Sequence, residues 1–143
     1  MRSLLLLLAG LGAPALAATG GQLFHNPSCG CCHAWAAHMQ ANGLPLQAQA
    51  RTDMTTLKQQ WGVPAALQSC HTAKLGGYLI EGHVPAAQVQ RLLKEKPAIA
   101  GLAVAGMPAG SPGMEAAVSQ PYQVVAFTRD GRQYVYASIP GSR

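Results

Sequence analysis

The sequence predicts an α/β fold in which a small mixed sheet is flanked by helices and ends in a β-hairpin. Candidate strands alternate with helix-compatible segments, which favours a sheet covered by helices. Near the C-terminus, Asp130-Gly131 separates two strand-like segments and is a strong hairpin signal. The 143 residues contain no internal repeat or low-complexity linker, so we expect a single mature domain.

The N-terminus has the pattern of a secretory signal. Arg2 provides a positive start, residues 4–11 form a short apolar core, and Ala15-Leu16-Ala17 is a small-residue cleavage pattern. The apolar core is shorter than the about 20 residues that a membrane-spanning helix needs. We therefore expect cleavage after Ala17, export, and a mature domain of residues 18–143 without stable membrane insertion.

Local patterns place the elements in chain order. Short apolar or alternating segments are candidate strands, and segments with helical apolar spacing are candidate helices. The predicted strands cover residues 22–25, 44–51, 77–81, 122–128 and 133–139. The predicted helices cover residues 31–41, 54–61 and 85–94. Residues 62–75 and 101–113 are predicted as loops because they are rich in turn-forming residues.

Residues at the helix ends support these boundaries. Asn42-Gly43 is a stop signal for the first helix, and Asp53 is placed to cap the second. The apolar stripe of the third helix predicts burial of Val89, Leu92 and Leu93.

The charge pattern argues against a nucleic-acid partner. The formal net charge is only +5. The basic side chains are scattered and form no dense patch with interleaved aromatic residues. An exported protein is also separated from nucleic acids, so we expect none to bind.

The cysteines are the most informative residues. Three of the four lie in Cys29-Gly30-Cys31-Cys32. Structural disulfides of exported proteins usually join distant segments, because closing a long loop constrains the unfolded chain most. A bridge between Cys29 and Cys32 would close only a very short loop and would stabilise the fold little. The clustering therefore indicates a redox or metal-binding role for these cysteines.

Cys29 and Cys32 form a C-x-x-C pair at the predicted start of a helix. The helix dipole favours a thiolate there. A thiolate is both a redox nucleophile and a metal ligand, so the pair leaves both functions open. A C-x-x-C pair between a strand and a helix is also typical of thioredoxin-like folds. If the site is redox active, Cys29 and Cys32 are its catalytic residues.

Cys31 favours metal binding. Thiol–disulfide exchange needs only two sulfurs, whereas Cu(I) prefers several thiolate ligands. Cys70 completes the candidate set because a loop can carry its sulfur to the cluster. The alternative is a disulfide between Cys70 and one of the other three. The candidate metal ligands are Cys29, Cys31, Cys32 and Cys70.

Two further side chains are candidate copper ligands. His71 follows Cys70 directly, and Met107 lies in a Gly-Met-Pro loop. Each is also common as a hydrogen-bonding or gap-filling residue. The same structural interpretation is favoured for His33, His38, His83 and Met114.

Several longer motifs cover nearly all of the predicted mature chain. They are Cys29-Gly30-Cys31-Cys32 with Trp35 and His38, Gly62-Val63-Pro64, Ser69-Cys70-His71-Thr72-Ala73, Gly77-Tyr78, Glu81-Gly82-His83-Val84-Pro85-Ala86, Gly101-Leu102-Ala103-Val104, Gly106-Met107-Pro108 and Gly110-Ser111-Pro112-Gly113-Met114-Glu115. Together they resemble the CopG-type periplasmic copper-resistance proteins, a metal-binding domain family formerly of unknown function.

The resemblance implies a thioredoxin-like fold, a periplasmic location and a Cu(I) site open to redox activity. It implies ligation by the four cysteines already named, and copper ions and other copper-handling proteins as partners. By analogy with the cis-proline loop of thioredoxin-like folds, Met107-Pro108 is expected to face the cysteine motif.

Three functions follow as hypotheses. The first is a periplasmic Cu(I)-binding protein for copper handling or resistance. The second is a thiol–disulfide oxidoreductase that uses Cys29 and Cys32. The third is a small domain stabilised by structural zinc or disulfides. The third cysteine of the cluster favours the first hypothesis, and copper over zinc. None of these patterns predicts turnover.

Overall fold

The computed structural model describes residues 20–142. The predicted signal segment and its cleavage site after Ala17 lie outside this range. None of the helices within it combines the length and apolar character needed to cross a membrane.

The described part of the chain contains seven strands and three α-helices. The strands are β1 (Gly21–His25), β2 (Leu46–Ala50), β3 (His71–Leu75), β4 (Tyr78–Glu81), β5 (Gly101–Ala103), β6 (Tyr122–Phe127) and β7 (Gln133–Ile139). The helices are α1 (Gly30–Ala41), α2 (Met54–Gln60) and α3 (Ala86–Glu95), with a 3₁₀ turn at Ala65–Leu67.

The strands form one sheet of seven in the order β2-β1-β3-β4-β5-β6-β7. β1 is parallel to β2, and β4 is parallel to β5. The remaining neighbours are antiparallel, including the predicted C-terminal hairpin of β6 and β7. The α/β prediction, with a mixed sheet flanked by helices and a terminal hairpin, is confirmed.

Two strands were wrongly predicted as loops. β3 lies within residues 62–75 and β5 within residues 101–113. β3 is central and almost completely buried, and such a strand need not alternate between apolar and polar residues. β5 has only three residues, which is too short for a periodic signal. Together they join the predicted strands into one sheet, which is therefore larger than expected.

The helices cover both faces of the sheet. Successive strand residues point to opposite faces. Leu23 of β1 therefore packs into the main core with Trp35 and Met39 of α1, whereas Phe24 packs with Leu57 of α2. The helical spacing of Trp35 and Met39 is what places both side chains in the core.

The predicted helix ends are mostly correct. Asn42 is the C-cap of α1, and Gly43 after it adopts a φ of +76°, as the stop signal predicts. In α3, Val89 and Leu92 are fully buried as predicted, whereas Leu93 is only partly buried. The predicted cap of α2 is wrong in detail, because the Asp53 side chain makes no capping hydrogen bond and instead pairs with Arg51.

Candidate metal centre

The cysteine motif occupies the turn between β1 and α1. The backbone N–H of Cys29 donates to the carbonyl oxygen of Asn26 at 3.0 Å, which closes the turn. Cys29 is the N-cap residue of α1. Its sulfur forms a disulfide with Cys32, across a Cα–Cα distance of 5.4 Å. Cys29 is half-buried and Cys32 is fully buried, so the two ends of the bridge differ in access.

Cys70 reaches the motif because of the unpredicted strand β3. β3 runs antiparallel to β1, with His71 opposite His25. The residue before β3 therefore lies at the end of β1 where the cysteine motif starts. The Sγ atoms of Cys31 and Cys70 are 3.7 Å apart, and those of Cys29 and Cys31 are 3.5 Å apart.

The four sulfur atoms form one compact group, all within 4.8 Å of one another. Cys31 and Cys70 are both free thiols. A disulfide from Cys70 to the motif, the alternative considered from the sequence, is therefore not the state of this structure. The disulfide that is present joins residues only three positions apart, so it adds little to stability. A redox or metal-binding role therefore remains the better explanation of the cysteine cluster.

Cys70 also belongs to a second group of donor atoms. Its Sγ lies 3.2 Å from Nδ1 of His71 and 3.0 Å from Nε2 of His83. The three ligand atoms lie within 4.8 Å of one another. The Nδ1–H of His83 donates to the carbonyl oxygen of Pro112 at 2.7 Å, which leaves its Nε2 lone pair facing the sulfur. A carbonyl that fixes one ring nitrogen is typical of metal-binding histidines.

The sequence interpretation of His83 as a structural residue missed this contact. His83 follows β4 by two residues, and β4 is the neighbour of β3. A sequence signal for this contact does exist. The Cys70-His71 pair lies at the start of one strand, and His83 lies just after the end of the antiparallel neighbouring strand. That signal becomes visible only when β3 is recognised.

Burial sets the protonation of these groups. Burial, followed by the charge of the neighbouring Cys31, raises the pKa of the Cys70 thiol to about 11. Burial lowers the pKa of His83, and burial followed by the charge of His83 lowers the pKa of His71 well below its usual value. Both imidazoles are therefore neutral near pH 7, the form that binds metals. The thiol would release its proton on metal binding.

The remaining candidate ligands lie outside the two groups of donor atoms. His33 is exposed, with its ring 4.6 Å from that of His25. Nε2 of His38 accepts a 3.0 Å hydrogen bond from the backbone N–H of Ala86 at the start of α3, which confirms its structural role. Met107 is 52% exposed. Its assignment as a ligand stays a prediction.

The cis-proline part of the loop analogy is wrong, whereas the approach of Met107-Pro108 to the cysteine motif stays a prediction. The peptide bond before Pro108 is trans. The segment that ends in Cys70 faces the cysteine motif. The loop after β5 touches the motif through Gly113, where an added Cβ would lie 2.8 Å from the carbonyl oxygen of Cys31. A glycine is required there because the loop backbone lies directly on α1.

Comparisons with known proteins show the family of the chain. Residues 67–114, which include Cys70, His71 and His83, match a family described as protein of unknown function DUF411. No curated protein sequence is significantly similar to the chain. Two solved structures of copper resistance protein CopG, Form 1 and Form 2, are each 42% identical to it, with a TM-score of 0.81. Each match covers 85% of this chain and 98% of the other. The chain therefore belongs to the CopG family of copper resistance proteins.

Proposed function

We propose that this protein handles copper in the periplasm by binding Cu(I) through Cys29, Cys31, Cys32 and Cys70. The observation that carries this proposal is the convergence of four sulfur atoms within 4.8 Å of one another. Thiolates are the ligands that Cu(I) prefers. The similar solved structures are those of a copper resistance protein.

The second donor group enlarges the site. Cys70 is common to both groups, and His71 and His83 add neutral nitrogen donors beside it. A thiolate in that position can bridge two ions. The proposed copper load is therefore a small copper–sulfur cluster instead of a single isolated ion.

The disulfide connects copper binding to thiol chemistry. Two of the four sulfurs are joined between Cys29 and Cys32, so their full use as ligands requires two electrons and two protons to form two thiols. Copper binding would then displace the protons. The reduced protein is the proposed copper-binding form.

The same disulfide favours a second candidate function, thiol–disulfide exchange. Cys29 is half-buried at the start of α1, whereas Cys32 is fully buried behind it. An accessible thiolate at a helix N-terminus is suited to attack, and its buried partner is suited to resolve the mixed disulfide. In this function Cys29 and Cys32 are the catalytic residues, and they exchange disulfides as the C-x-x-C pair of a thioredoxin-like protein does.

The predicted signal segment supports a periplasmic location, with other periplasmic copper-handling proteins as donors or acceptors of the ion. Fractionation of cells that express the full chain tests this. Recovery in the periplasmic fraction, with mass corresponding to cleavage after Ala17, is the expected result. Recovery of the uncleaved chain in the cytoplasm would contradict it.

Replacing Cys31 by Ser separates the two candidate functions. Copper binding loses a soft ligand, so Cu(I) affinity is expected to fall by more than about tenfold, the lower end of the range for loss of an outer-shell partner. Reduction of insulin disulfides should survive because Cys29 and Cys32 are retained. Anaerobic competition with a colorimetric Cu(I) chelator measures the first quantity and insulin turbidity the second. Parent-like affinity in the variant would refute the role of Cys31.

Removal of metal tests the remaining hypothesis of a structural zinc site. The main core is built from apolar side chains of the sheet, α1 and α3 and contains none of the four cysteines. The chelated protein is therefore expected to keep its circular dichroism spectrum and a cooperative melt. Unfolding on chelation would instead identify a structural metal.

A further inference from the structure

A buried ion pair contacts the residues on either side of Cys70-His71. Lys58 of α2 and Glu81 of β4 form it, with side chains 5% and 0% exposed. Burying such a pair is costly, and apolar replacements of similar volume are often neutral or stabilising. Stability alone therefore gives no reason for this pair to be present.

The hydrogen bonds of Glu81 indicate what it does. Its Oε1 accepts from the backbone N–H of Ser69 at 2.7 Å and from the ammonium group of Lys58. Its Oε2 accepts from the hydroxyl of Thr72 at 2.5 Å. Lys58 also donates to that hydroxyl, at 2.8 Å. One carboxylate thus holds both ends of the segment Ser69–Thr72.

We propose that Glu81, held by Lys58, is a positioning residue that fixes Cys70 for metal binding. Both carboxylate oxygens are already occupied, so Glu81 acts through the segment it holds. The carboxylate anchors Ser69 on one side of Cys70-His71 and Thr72 on the other. This inference rests on the proposed role of Cys70 as a ligand.

Two further hydrogen bonds also hold the segment Ser69–Thr72 in place. The N–H of Gly82 donates to the carbonyl oxygen of His71 at 2.9 Å. The hydroxyl of Ser69 donates to the carbonyl oxygen of Gly106. The segment is therefore held against the end of β4, and its geometry leaves Cys70 Sγ 3.7 Å from Cys31 Sγ.

Two double variants test the anchor. Lys58→Met with Glu81→Leu removes both charges together with the acceptor for Ser69. Lys58→Met with Glu81→Gln also removes both charges but keeps a carbonyl oxygen that can accept from Ser69. Neither leaves an unpaired buried charge, the situation that most destabilises a fold. Circular dichroism and thermal melts verify that both variants are folded.

The first readout is Cu(I) affinity of the reduced protein in anaerobic chelator competition. We expect the Leu variant to lose about 10–100-fold, the range typical of outer-shell partners of metal ligands. The Gln variant should retain most of the parent affinity. An equal loss in both would overturn the proposal, because it would mean that charge and not the hydrogen bond is required.

The second readout needs no metal. In the disulfide form, Cys31 and Cys70 are the free thiols, and iodoacetamide labelling resolved by peptide mass spectrometry follows each. The Leu variant should label Cys70 faster than the parent, with a much smaller change at Cys31, and the Gln variant should match the parent. A folded Leu variant with parent-like labelling and parent-like affinity overturns the proposal.

The two readouts also separate this inference from the function on which it rests. If the parent protein binds no Cu(I), the proposed function fails, and the labelling of Cys70 still decides whether the anchor exists. If the Leu variant does not fold, Thr72→Val is measured in the same way, since it removes one of the two anchoring contacts. Faster Cys70 labelling and weaker Cu(I) binding support the anchor, and parent-like values for both overturn it.

Discussion

Replacing Cys70 by Ser is expected to lower Cu(I) affinity by more than about 100-fold, above the upper end of the range for outer-shell changes. Cys70 is the residue that the two donor groups of the described chain have in common. Its loss therefore weakens both groups together, and a serine oxygen is too hard a ligand to replace the sulfur for Cu(I). Anaerobic chelator competition on the reduced protein measures the change.

Two comparisons make the Cys70→Ser result specific. The variant should stay folded because Cys70 is only half-buried and takes no part in the disulfide. Cys31→Ser should lose less affinity, because the group of Cys70, His71 and His83 remains intact. His33→Ala, at an exposed position outside both groups, should match the parent. A Cys70→Ser protein that binds Cu(I) no more weakly than Cys31→Ser would contradict the shared role.

Replacing Gly82 by Ala is expected to destabilise the protein by about 2–5 kcal/mol, from backbone strain and overpacking together. Gly82 has a φ of +69°. An added Cβ would lie 2.5 Å from the carbonyl oxygen of Val104 and 2.6 Å from Cβ of Ser69. The backbone beside Cys70 must then shift, so Cu(I) affinity should fall as well. Chemical denaturation and chelator competition measure the two effects.

Gly77→Ala is the matched control for that experiment. Gly77 has a φ of +85° but nothing within 4 Å of an added Cβ. It should therefore lose only the conformational part, about 1–2 kcal/mol, and keep the parent Cu(I) affinity. Equal losses in the two variants would show that the contact between Gly82 and Ser69 is unimportant.

The parts of the fold that the sequence predicts well are local. The C-x-x-C motif at the start of α1 follows from a turn and a helix that neighbouring residues define. The terminal hairpin follows from Asp130-Gly131 between two strand-like segments. In each case the deciding interactions lie within a few residues, so a short window of sequence contains them.

The parts that were missed depend on pairing between distant strands. β3 is recognisable only by its neighbours β1 and β4, and without it neither the approach of Cys70 nor the contact with His83 can be derived. Lys58 and Glu81 are residues expected at the surface. Their burial follows from the packing of α2 on the sheet, which no local pattern reports.

The arrangement of Cys31 and Cys70 has a consequence for the folded chain as a whole. These sulfurs face each other across 39 residues of sequence, whereas the disulfide spans only three. Copper held by both would join α1 to the segment before β3, a contact that exists only in the folded chain. Ligands that bind only the native state stabilise it by mass action. The metal-free protein would therefore keep its fold, and it would unfold more easily than the copper-bound form.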